Sequence, residues 1–87
     1  MTLLRCKFEP GAMAHEVAIF VMGVDGELES WADPRDIKVE DKATGSGFVP
    51  VRLISEDLSK DRVLVELPVE VVMGSRRIWV PLASVRR

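Results

Sequence analysis

Apolar and polar residues alternate along this chain with a period of two, and no stretch of useful length carries helical periodicity, so the pattern predicts strands throughout. Leu4, Cys6 and Phe8 share one face of a first strand, with Arg5 and Lys7 on the other. Glu9-Pro10-Gly11 interrupts it. A second strand, about 14–24, sets Val17, Ile19 and Val21 on one face. Asp25-Gly26 then predicts a two-residue type I′ hairpin, whose central positions both need positive φ, and Glu27–Trp31 returns antiparallel.

Asp33-Pro34-Arg35-Asp36 reads as a capped turn, with aspartate at the N-cap and proline at the first helical position. Ile37-Lys38-Val39 follows, and then Lys42–Gly47, rich in small and polar residues, is expected to be a mobile loop. Phe48–Ser55 is the next strand, with Val49, Val51 and Leu53 in phase. Pro50 cannot donate a ladder hydrogen bond and so calls for an edge or a bulge. Asp57–Asp61 is a polar turn, and Arg62–Leu67 carries Val63, Val65 and Leu67 inward until Pro68 stops it. Val69–Met73 either extends the sheet or leaves it, ending at Gly74-Ser75. Arg76–Val80 places Ile78 and Val80 opposite Arg77 and Trp79. A 3₁₀ turn is expected near Pro81–Ser84, with Val85-Arg86-Arg87 closing the chain. About five to six short strands with regular turn signals predict an all-β antiparallel barrel or sandwich, built as one domain over residues 1–87.

A strand, a proline-started 3₁₀ turn and a short closing strand are similar to the last two strands of SH3-like barrels, with the Asp57–Asp61 turn between the central strands. The resemblance covers about the last forty residues and implies a barrel. Polyproline recognition does not carry over with it, because the acidic-aromatic signature is missing and tyrosine is absent. The glycine-spaced signature of ribosomal SH3-like modules is missing too.

Eighty-seven residues supply one small core, and a deep enzyme cleft would compete with it for apolar side chains. The net charge is −2 with 30% charged and 47% apolar residues, which excludes a disordered chain. The single cysteine, Cys6, excludes an intramolecular disulfide, and its place between Leu4 and Phe8 predicts a buried thiol in a reducing, cytoplasmic setting. Arg5 stands where lipoprotein processing before Cys6 needs a small residue, and Val17–Met22 is far shorter than the ~20 residues of a membrane span.

Little here resembles catalytic or metal chemistry. His15 is the lone histidine, and neither Ser30 nor Ser46 is singled out as a nucleophile for it. A solvated histidine at a strand start is the simpler reading. One histidine, one cysteine and scattered carboxylates form no metal-ligand set. Gly45-Ser46-Gly47 lacks the lysine and helix of a phosphate loop. No enzyme activity, metal or cofactor is expected.

Two features point instead to binding. First, several strands are apolar on both faces: Phe20 and Met22 lie opposite Val17, Ile19 and Val21, Leu64 opposite Val63 and Val65, and Trp79 opposite Ile78 and Val80. A one-sided sheet is polar there, so Phe20, Met22, Leu64 and Trp79 form a candidate contact face for a like or unlike chain, most simply a homodimer. Second, charge is segregated. Nine acidic residues lie between Glu9 and Asp41 against Arg35 and Lys38, whereas all charges after Ser75 are positive. Arg76, Arg77, Arg86 and Arg87 with Trp79 are the alternative site, for a single-stranded nucleic acid held by phosphate contacts and stacking. Pairing of acidic with basic strands across the sheet is the competing explanation.

Overall fold

The computed structural model describes residues 1–9, 16–68 and 76–87. It is a curled antiparallel sheet, a half-barrel compatible with a small barrel fold. The strands are β1 (Thr2–Phe8), β2 (Val17–Gly23), β3 (Gly26–Ala32), β4 (Lys38–Asp41), β5 (Ser46–Asp57), β6 (Arg62–Glu66), β7 (Arg77–Pro81) and β8 (Val85–Arg86). These eight exceed the five to six expected because β4 and β8 are short additions, of four and two residues. The main path runs β3-β2-β1-β5-β6-β7, with β4 paired to β5 and β8 to β1. The backbone amide of Val24 donates to the carbonyl of Trp79 at 3.0 Å, tying the tip of the β2–β3 hairpin to β7 at the far end of the path.

Inward positions follow the alternation. Leu4, Ile19, Val49, Val63, Val65 and Val80 are fully buried and form the heart of the core, joined by Cys6 at its edge. Removing these side chains from water is the main favourable term in folding, at about 25 cal/mol per Å² of apolar area. Strand β5 is the spine. One of its edges pairs with β1 over residues 46–51, while the other pairs first with β4 and then, beyond Pro50, with β6. Pro50 therefore stands in the gap between two partners, and the bulge lies further on, between Leu53 and Ser55.

Two local expectations are corrected. The hairpin turn falls on Val24-Asp25, not Asp25-Gly26, because Gly23 pairs with Gly26 and Val21 with Leu28. Among the described residues only Asp61, Gly26 and Gly45 have positive φ, so this turn is not the type I′ form; Gly26 sits at φ 130°, a conformation that only glycine adopts readily. Lys42–Gly47 is not an open loop either. Residues 42–45 make a tight turn whose amides at Ala43 and Thr44 donate to Asp41 Oδ1, at 2.9 and 3.4 Å, and Ser46-Gly47 already belongs to β5. A Cβ on Gly47 would stand 2.5 Å from the carbonyl oxygen of Lys38, so glycine is what lets β4 approach β5.

The capped turn at Asp33 is present as a 3₁₀ turn over Pro34–Asp36, with Asp33 accepting from the Arg35 amide. The expected closing turn is the 3₁₀ turn Leu82–Ser84, entered from Pro81. The suggested strand 69–73 and the start of the second strand at 14–15 lie outside the described residues. Among the described residues no helix is long and apolar enough to cross a membrane.

Candidate interaction surface

The four outward apolar residues fall on two separate parts of the sheet. Leu64 and Trp79 are directly opposite each other on β6 and β7. Both are half-buried, and the Arg62 guanidinium lies over the Trp79 ring at 4.4 Å from its centroid. A guanidinium over an indole face is attracted by the ring's negative quadrupole, so this arginine also shields the ring from water. Arg62 is held in turn by Asp57, at 3.4 Å, and the next cross-strand pair is Arg77 donating to Glu66 at 3.0 Å. Hydrogen bonding from Ser59, followed by the charge of Arg62, holds the Asp57 carboxyl below its ordinary value, and the Arg77 hydrogen bond does the same for Glu66. Apolar and charged groups on this outer face are thus satisfied by their own neighbours.

Phe20 and Met22 lie on the outer face of β2, where Phe20 is half-buried and Met22 is 52% exposed. With Arg5, Lys7, Glu27 and Ser46 they line an open groove. Register explains the composition of its rims. Phe20 stands opposite Lys7 on β1 and opposite Glu29 on β3, while Met22 stands opposite Glu27. Among the described residues no ion pair engages Lys7, Glu27 or Glu29.

The tail arginines do not gather into one basic patch. Arg76 donates to the carbonyls of Leu67 and Pro68, Arg77 to Glu66, Arg86 to Glu40, and Arg87 pairs with Glu56. Strand β8 carries Arg86 back beside Leu3 of β1, away from Trp79 on β7. Arg5 and Arg86 both lie over Phe48, at 4.9 and 4.3 Å from the ring centroid, and both reach Glu40 on β4. Phe48 is an outward residue only 4% exposed because these side chains roof it. Acidic and basic strands do pair across the sheet here. Sequence parity places Phe48 outward, but nothing local announces that Arg5, Glu40 and Arg86 meet over it.

Cys6 is buried, and loss of solvation pushes its thiol up to about 11, which leaves it an inert neutral group at ordinary pH. Of the two serines weighed beside His15, Ser30 is 1% exposed on the inner face and Ser46 contacts the Thr44 hydroxyl at 3.0 Å; His15 lies outside the described residues. Among the described residues, no three His, Cys, Asp or Glu side chains cluster as metal ligands.

Compared with known proteins, the chain matches no family model, no curated protein and no solved structure.

Proposed function

We propose that this protein is a non-enzymatic assembly module that joins another protein chain through the outward apolar residues of β2. The observation that carries the reading is the groove at Phe20 and Met22, with a large apolar side chain left half in water on a strand whose inner face is already fully used. Trp79, in the other half of the expected face, has its own covering in Arg62, and with Leu64 opposite it is assigned to stability instead. The nucleic-acid alternative has less support, because Arg76, Arg77, Arg86 and Arg87 each have a partner within the chain and phosphate would have to displace it. Within this proposal the barrel is of SH3-like type, supported by the run of β7, 3₁₀ turn and β8 that returns to β1. The buried reduced thiol suits a cytoplasmic setting.

Light scattering over a concentration series tests the proposal. Wild type is expected to exceed the mass of one chain, and Phe20→Glu to give one-chain mass with unchanged circular dichroism. A wild type at one-chain mass throughout, or an assembly that survives Phe20→Glu, sinks it.

A further inference from the structure

The outer face of β1, β2 and β3 is striped. Lys7, Phe20 and Glu29 form one line across three neighbouring strands, each opposite the next. Arg5, Met22 and Glu27 border the same groove, with Met22 opposite Glu27. Read across the sheet, the face is therefore basic on β1, apolar on β2 and acidic on β3. Lys7 and Glu27 are exposed, and no charge within the described residues neutralises Lys7, Glu27 or Glu29.

A surface with that order is complementary to itself in only one sense. Two copies packed face to face about a two-fold axis that lies in the contact plane and runs along β2 exchange left for right. Basic β1 of each copy then faces acidic β3 of the other, and the apolar stripes meet in the middle. The two-fold axis across the strands instead sets basic on basic and acidic on acidic, which repels. A two-fold contact uses the same patch on both subunits, and this patch has what such a contact requires: an apolar centre with opposite charges on its two sides. Aligned packing of sheets is also an ordinary geometry.

Resting on the assembly reading above, we propose that the partner is a second copy of this chain, docked through the β1–β2–β3 outer face with Lys7 of each protomer against Glu29 of the other. Among the described residues β1 and β2 are in register only at Lys7–Phe20 and Phe8–Ile19, so the face is smaller than the roughly 14 by 24 Å that three fully paired strands, spaced by about 4.8 Å with seven residues rising about 3.4 Å each, would give. That is small beside the ~800 Å² per partner of a standard interface, so the dimer is measured from about 10 µM to about 1 mM. Its charge pairs lie at the margin of the contact, so association weakens with salt as the screening length falls from about 10 Å at 0.1 M to about 3 Å at 1 M.

The test is a charge exchange read by sedimentation equilibrium. Lys7→Glu and Glu29→Lys are each expected to weaken self-association by about tenfold, because each reversal spoils two symmetric contacts. An equimolar mixture of the two variants should recover at least wild-type association, since an all-acidic rim then meets an all-basic one. Recovery also shows that both variants are folded. If the single variants associate like wild type, or the mixture does not recover, this docking is wrong, even where Phe20→Glu has abolished assembly and the broader reading stands. A wild type that never associates overturns both.

Discussion

The two halves of the sheet use the same kinds of residue to opposite ends. On the outer face of β5, β6 and β7, an aromatic ring sits among charges that are already partnered: Arg62 covers Trp79 and is held by Asp57, and Glu66 is held by Arg77. On the outer face of β1, β2 and β3, an aromatic ring sits between Lys7 and Glu29, which form no ion pair across β2. Paired charges neutralise the first face, whereas Lys7 and Glu29, unpaired among the described residues, leave the second polarised. A long side chain can bridge an intervening strand, as Arg5 does in reaching Glu40 over Phe48, but no such pair joins Lys7 to Glu29 over Phe20. One half therefore closes on itself, and the other is left with something to offer.

The largest effect is expected where the halves share a core. Leu4 is fully buried on β1, which pairs with β2, β5 and β8, so Leu4→Ala should cost about 2–5 kcal/mol. If the halves are one cooperative unit, urea unfolding followed by Trp31 alone and by Trp79 alone (each in the background of the other Trp→Phe) should shift by the same amount. Two separate midpoints would break the comparison, because the halves would then be independent units.

A smaller effect separates the two outer faces. Trp79→Ala removes a ring packed on Leu64 and covered by Arg62, and should cost about 2 kcal/mol of stability with association unchanged. Phe20→Ala should cost about half of that while reducing association. Chemical denaturation read beside light scattering decides it. Equal losses of stability with no change in mass would erase the distinction.

The smallest effect is on pH. The Glu66 carboxyl is lowered from an ordinary 4.5 by its hydrogen bond from Arg77, so its stabilisation is complete above 4.5 and disappears as pH falls through the lower folded value. Asp57, lowered from 3.8 chiefly by Ser59, follows the same sign. The urea midpoint should therefore fall on acidification below pH 4.5. In Glu66→Gln it should start lower at neutral pH and fall less. An equal acid-induced fall in the variant would remove Glu66 from the self-satisfied face.

Much of this organisation was legible beforehand. Parity alone set Val17, Ile19 and Val21 inside and Phe20 and Met22 outside, and set Trp79 opposite Val80, because successive side chains in a strand point to opposite faces. The Pro81 turn was legible because proline presets the backbone on entry. Asp25-Gly26 is a strong local signal for the hairpin, yet strand register overrules it by pairing Gly23 with Gly26, which sets the turn one residue earlier. The supposed mobile loop contained small and polar residues, but Asp41 organised them through amide contacts that composition does not reveal.

The candidate site divides along the same line. Which residues face outward follows from the order of amino acids, since it depends only on a two-residue period and on what is apolar. The same order also determined that Cys6 would be an enclosed thiol. Tertiary structure alone decided neighbours: it separated Phe20 from Trp79, scattered the tail arginines among Glu40, Glu56, Glu66 and backbone carbonyls, roofed Phe48 with Arg5 and Arg86, and lined up Lys7, Phe20 and Glu29. The physical reason is that facing is set by the chain's own local geometry. Adjacency across a sheet is instead set by register and strand order, which the buried side chains of all the strands choose together.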